Sequence, residues 1–230
     1  SYLSIDDYYI MFDPLDDYIK HIDCWGKFLT PHKVIIGQVL ESDNRYADFE
    51  AAAEFFESTS SSYGLAYEVH RVYTPGKNQT TPYTNSLIVN NKILVPLTGS
   101  QWDDEAIASY EAAMPGYKIV GIPYNGWYNT DALHCRTKGV ADLGMLYIEH
   151  KPVLGLQAYQ SQIKLNADFI ANSGAAIYHD SVFLHFKVNN GPYMTKLFAQ
   201  QENGSWDASF DGLKALDNVD YYIEVRDASG

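Results

Sequence analysis

Hydrophobic and polar residues alternate over residues 18–28, and residues 33–39 form a β-branched run. The pattern predicts two strands joined at the turn-forming Thr30-Pro31. Over residues 43–57 the period changes: Tyr46, Phe49, Ala53 and Phe56 recur three and four apart on one helical face, with Asp43 or Asn44 as the cap. A strand over 68–73 follows and is broken by Thr74-Pro75-Gly76. The same succession then recurs. Strands over 86–90 and 92–97 flank Asn90-Asn91, which tolerate the positive φ of a tight hairpin; helical spacing over 102–114 ends at Pro115-Gly116, and 117–123 is again a strand. Hairpin, helix, strand occurring twice, at a period of roughly 50 to 60 residues, predicts a repeated ββαβ unit.

After Gly155 the helical spacing disappears. Residues 181–188, 193–199, 206–210 and 219–225 read as short strands separated by turn sequences such as Asn189-Asn190-Gly191-Pro192 and Glu202-Asn203-Gly204. This predicts an all-β module over 158–230, after an α+β part over 1–157, with the boundary near residues 156–161. Its aromatics, Phe183, Phe186, Phe198, Trp206, Tyr221 and Tyr222, are assigned to its core and faces.

The 230 residues are 46% hydrophobic, enough to bury a core. A formal charge of −13 argues against a nucleic-acid partner, whose affinity is built from Lys and Arg, and is compatible with a cationic substrate. No apolar run is long enough to span a bilayer. There is no initiating Met and no signal-peptide pattern at Ser1, so the natural start is expected upstream. Cys24 and Cys135 are too few for a disulfide framework or a thiolate zinc site. The seven histidines, His21, His32, His70, His134, His150, His179 and His185, show no metal-ligand spacing, so no metal and no cofactor is expected.

Three segments carry candidate chemistry. In His21-Ile22-Asp23, read as strand, a spacing of two puts a base and a charge clamp on one face and turns Cys24 into the core. Alone, such a pair is more simply a polar edge. In Asn129-Thr130-Asp131-Ala132-Leu133-His134-Cys135-Arg136-Thr137, a polar loop carries a cysteine that is either a nucleophile or a filler. His134 adds little there if the chain is extended, because adjacent residues then point apart. Asn85, in Thr84-Asn85-Ser86 at the head of a strand, is ordinarily a cap or turn residue.

Read together, four stretches resemble the guanidine-modifying deiminase superfamily, and within it the bacterial peptidylarginine deiminases related to agmatine deiminases. They are Tyr18-Ile19-Lys20-His21-Ile22-Asp23-Cys24-Trp25-Gly26-Lys27, Pro82-Tyr83-Thr84-Asn85-Ser86-Leu87-Ile88, Ala113-Met114-Pro115-Gly116-Tyr117 and Thr130-Asp131-Ala132-Leu133-His134-Cys135-Arg136-Thr137. The resemblance implies a pentein-type α/β propeller of ββαβ units, of which this chain holds only the later blades, followed by an immunoglobulin-like sandwich. It implies that Cys135 attacks the guanidinium carbon, ammonia leaves, and a covalent thiouronium is hydrolysed, turning arginine into citrulline. His21 would be the acid and base, Asp23 the guanidinium clamp and Asn85 a positioning residue, with Tyr18, Ile19 and Thr130 lining the substrate site and the Cys135 pKa lowered by the charged substrate or a protonated His21.

The implied substrate is an arginine-containing peptide, with agmatine or free arginine as alternatives. The first blades, with a second guanidinium-binding aspartate, have no counterpart before Ser1. The missing half of the catalytic domain is therefore the expected partner, on the same or a separate polypeptide. The alternative from another class is a catalytically incomplete fragment acting as a binding or assembly module. A secreted or cell-surface bacterial location is implied by the resemblance alone.

Overall fold

Valine and isoleucine crowd the backbone in a way that suits pleated strands, and the run that opens at Lys33 becomes the central strand of a three-stranded sheet. The computed structural model describes residues 9–76, 78–139 and 142–229. The chain folds as two units, residues 1–138 and 139–230.

In the first unit, β1 (Gly26–Thr30) and β2 (Lys33–Gln38) form an antiparallel hairpin. Helix α1 (Tyr46–Ser58) then crosses back so that β3 (Glu68–Tyr73) pairs parallel with β2. The arrangement repeats: β4 (Leu87–Val89) and β5 (Lys92–Leu97) are antiparallel, α2 (Asp103–Ala113) crosses over, and β6 (Lys118–Pro123) pairs parallel with β5. The expected pair of ββαβ units is present. A parallel pairing needs such a crossover, since a tight turn can only reverse the chain. Asn90, in the two-residue turn between β4 and β5, has φ 52°, as its residue type foretold.

The side-chain period of two divides β2 between two cores. Val34 and Ile36 join Phe49, Ala52, Ala53 and Phe56 of α1, spaced three and four apart along one helical face. Ile35, facing the other way, joins Leu29 and Val72 in a cluster with Tyr83, Ile93, Val95 and the Ala106, Tyr110 and Ala113 stripe of α2. The first sheet is thus covered on both faces. Gly37 sits where the chain before β1 meets β2: its N–H donates to the Trp25 carbonyl at 2.8 Å, and a Cβ would lie 2.6 Å from Thr74 Oγ1 and 2.8 Å from Phe49 Cε1.

Two local expectations are corrected. The strand predicted from residue 18 begins only at Gly26, because Lys20 takes φ 53° and Ile22–Cys24 close a 3-10 turn, with Trp25 N–H donating to Ile22 O at 2.9 Å. Arg45, and neither Asp43 nor Asn44, occupies the N-cap of α1. The Asp43 carboxylate instead accepts from the Arg45 backbone N–H and guanidinium, at 2.8 to 2.9 Å.

The second unit contains only strands among its described elements: β7 (Leu146–Glu149), β8 (Gln162–Ala171), β9 (Ile177–Val188), β10 (Met194–Leu197), β11 (Ala199–Gln200), β12 (Trp206–Asp211) and β13 (Val219–Asp227). They form two antiparallel sheets, in the orders β10-β9-β13 and β11-β12-β8-β7. Leu165, Val182, Leu184, Phe186, Phe198, Trp206 and Phe210 share its core. β7 precedes the expected boundary at 157/158 yet pairs with β8, so the division falls earlier in the chain. Among the described residues, no helix is long and apolar enough to cross a membrane.

Candidate active site

The loops that lead into each hairpin, and the loop that leaves β6, meet in the first unit. The 3-10 turn at Ile22–Cys24 presents Asp23 and sends Cys24 into the core, where burial above all pushes its thiol up to about 12. Before β4, Thr84, Asn85 and Ser86 are wholly buried. Buried polar groups demand partners, and each has one. Thr84 Oγ1 donates to the Asp23 carbonyl at 3.1 Å, and Ser86 Oγ lies 2.9 Å from the Tyr110 hydroxyl, which donates to the Tyr83 carbonyl at 2.8 Å.

Asn85 joins the three loops. Its side-chain carbonyl accepts from the backbone N–H of His134 at 3.0 Å and of Cys135 at 3.3 Å. Its amide nitrogen donates to Asp23 Oδ2 at 2.8 Å and to Cys135 Sγ at 3.1 Å. The residue read as a cap or turn is therefore the hub holding carboxylate and thiol together.

The Cys135 loop is coiled, not extended. Arg136 N–H donates to Ala132 O at 3.1 Å and Thr137 N–H to His134 O at 3.2 Å, while buried Ala132 and Leu133 anchor the turn. The Arg136 guanidinium braces it from outside, donating to Asp131 Oδ2 and Gly126 O over the Trp127 ring. Coiling lets the side chains of neighbouring residues converge, which corrects the reading of His134 as peripheral. His134 Nδ1 lies 2.7 Å from Asp23 Oδ2, and Cys135 Sγ donates to the same oxygen at 3.2 Å.

His21 Nδ1 lies 4.0 Å from the other carboxylate oxygen, Asp23 Oδ1, with its side chain 60% exposed. The Thr130 carbonyl accepts from Cys135 Sγ at 3.7 Å. Tyr18, 87% exposed, and Ile19, whose N–H donates to Asp17 Oδ1, share no hydrogen bond with this cluster among the described residues. His21, Asp23, Asn85, Thr130 and Cys135 are thus brought together.

Electrostatics follow from the packing. Burial opposes the charged form of Asp23, but hydrogen bonds from His134 and Cys135, with the neighbouring histidine charges, outweigh it and hold the carboxyl below its ordinary value. Cys135 is raised, chiefly by partial burial and further by Asp23, against the lowering pull of Asn85. Lys27 on β1, absent from the sequence-derived site, is lowered by burial while Asp23 and Cys135 act the other way. Its signal was its place in the quoted Tyr18-to-Lys27 stretch, and that of His134 its adjacency to Cys135.

Comparison with known proteins locates the same region. A Shewanella baltica (strain OS223) protein provisionally named agmatine deiminase is 28% identical over 133 residues, covering 47% of this chain and 36% of the relative. One from Shewanella frigidimarina (strain NCIMB 400) matches to the same extent. The chain thus spans about a third of the length of these curated relatives. Among solved structures, the agmatine deiminase of Enterococcus faecalis aligns at 22% identity with TM-score 0.45, covering 50% of this chain and 38% of that one. A substrate-bound variant of C. jejuni agmatine deiminase aligns at 20% with TM-score 0.44, covering 54% and 38%. The Porphyromonas-type peptidyl-arginine deiminase family matches residues 13–140, more than half of the sequence and the whole of the cluster around Cys135, and the chain belongs to that family.

Proposed function

We propose that this chain carries the nucleophile and acid–base half of a guanidine deiminase, acting on arginine in a peptide. The observation that carries the reading is the convergence of an exposed thiol, Cys135, with a carboxylate, Asp23, fixed by the buried Asn85. A guanidinium stays charged at any accessible pH and is held by carboxylates through charge-assisted hydrogen bonds. Asp23 is the clamp, and its depressed pKa keeps it ionised for the task.

The arriving cation adds positive charge beside a thiol whose pKa burial and Asp23 raise, and so favours the Cys135 thiolate, the competent nucleophile, whose proton passes to solvent. Sulfur bonds to the guanidinium carbon, and one amine leaves as ammonia after taking a proton from His21. Water, deprotonated by His21, then attacks the thiouronium carbon; the C–S bond breaks and a ureido group and free thiol remain. His134, 2.7 Å from Asp23, holds the carboxylate in place. Thr130 lies against the thiol by its carbonyl, and we assign Tyr18 and Ile19 to the outer wall that meets the rest of the substrate.

The remaining walls we assign to polypeptide beyond these residues, on the same or another chain, completing a pentein-type propeller of ββαβ units. The chain's coverage of only 36% of its curated relatives' length supports this reading. We read the second unit as an immunoglobulin-like sandwich and the parent protein as exported.

The test is ureido-product formation from an arginine peptide, with agmatine and free arginine alongside. Activity lost by on the order of 10³-fold or more in Cys135→Ala, with the fold retained, supports the proposal. Undiminished activity in that variant refutes it.

A further inference from the structure

Among the described residues, His21, Asp23 and Cys135 form a group of metal-competent side chains whose donor atoms all lie within 4.8 Å of one another. An imidazole nitrogen, a carboxylate oxygen and a sulfur make a mixed donor set that suits zinc, a borderline-soft ion with no geometric preference of its own. Zinc–ligand bonds of about 2.0 to 2.3 Å set tetrahedral donors roughly 3.3 to 3.8 Å apart. Cys135 Sγ and Asp23 Oδ2 are already 3.2 Å apart, and His21 Nδ1 is 4.0 Å from Asp23 Oδ1. The His21 ring, 60% exposed, is the ligand that has to draw closer.

The outer partners that metal sites use to fix their ligands are also in place. Asn85 Nδ2 donates to Asp23 Oδ2 at 2.8 Å and reaches Cys135 Sγ at 3.1 Å, and His134 Nδ1 sits 2.7 Å from the same carboxylate oxygen. Three protein ligands on a solvent-facing cluster leave the fourth position to water, the open form of a zinc site. Sequence spacing concealed the set, because Asp23 and Cys135 are 112 residues apart.

We propose that the cluster binds one zinc ion through His21, Asp23 and Cys135, and that this ion and a guanidinium substrate exclude one another, so that zinc reversibly silences the site. On binding, the Cys135 proton passes to solvent and no electron is transferred. The silencing rests on the reading of Cys135 as nucleophile; the binding does not.

The experiment titrates the 230-residue chain, without substrate, with zinc chloride by calorimetry and with cobalt chloride by absorption spectroscopy. One ion per chain and a near-ultraviolet thiolate-to-cobalt band are expected. Cys135→Ser removes the band and, like His21→Ala, weakens zinc by at least ~10-fold, the range that even outer partners command. Zinc also slows iodoacetamide labelling of Cys135, and circular dichroism verifies that each variant is folded. No band, or a band and affinity surviving both substitutions, overturns the proposal, the latter placing the ion elsewhere. Zinc binding of this kind in a full-length protein that hydrolyses no guanidine overturns the enzymatic reading alone; a chain without the band overturns the metal site alone.

Discussion

The two ββαβ copies share strand order and crossover but differ in what their lead-in loops are made of. Before β1 the first copy presents an exposed His21 and an Asp23 that faces the thiol; before β4 the second buries Thr84, Asn85 and Ser86 completely. Asp23 and Asn85 occupy comparable places, just ahead of the first strand of each copy, and are hydrogen-bonded to each other at 2.8 Å. The first copy's lead-in contributes His21 and Asp23, the second's contributes the buried Asn85 frame, and the loop that leaves β6 contributes Cys135. A repeated fold can thus build an asymmetric cluster by changing the residues ahead of each hairpin and joining them to the loop that follows the second copy.

The helices differ in the same spirit. α1 buries two phenylalanines, Phe49 and Phe56, whereas α2 buries alanines and one tyrosine whose hydroxyl serves the Tyr83–Ser86 segment. The first copy is therefore held by bulk and the second also by polar contacts. Phe49→Ala should have the largest effect, costing about 3 to 5 kcal/mol of stability, because the ring is wholly buried and leaves a cavity. Chemical denaturation measures it, and a loss below 1 kcal/mol, roughly the price of an exposed substitution, would show that α1 is not the anchor of its copy.

Asn85→Ala sharpens the contrast between frame and reactive groups. It strips partners from two backbone N–H groups, from Asp23 and from Cys135 at once, so a loss of about 1 to 3 kcal/mol is expected. Alkylation of Cys135 should also change in rate, which a substitution acting on packing alone would leave untouched.

The smallest effect concerns acid. Asp23 is held below its ordinary value of 3.8, so its contribution to stability is present at neutral pH and is lost as pH falls through the depressed value. Asp23→Asn should destabilise the chain near pH 7 and converge with the parent in strong acid, as followed by thermal melts across pH. Curves that stay parallel would mean that the carboxylate's charge is not what the His134 and Cys135 contacts stabilise.

Much of the fold was legible in local order. Side-chain periods of two and of three to four reflect what a strand or a helix must bury, so β2, α1, β5 and α2 stood out, as did Asn90 at its turn. β8 escaped notice although Ile163, Leu165, Ala167 and Phe169 alternate along it, and the domain boundary was placed too late with it. His21, Asp23, Asn85 and Cys135, singled out along the chain with the resemblance they carry, are residues that the fold brings together. Their geometry was decided by the tertiary structure: the 3-10 turn that replaced a strand at Asp23, the coiled loop that brought His134 beside Cys135, and the Asn85 hub. Periodicity reports which face of an element meets the core, a property of neighbouring residues. Hydrogen bonds between loops 50 to 112 residues apart arise only when separate elements have packed.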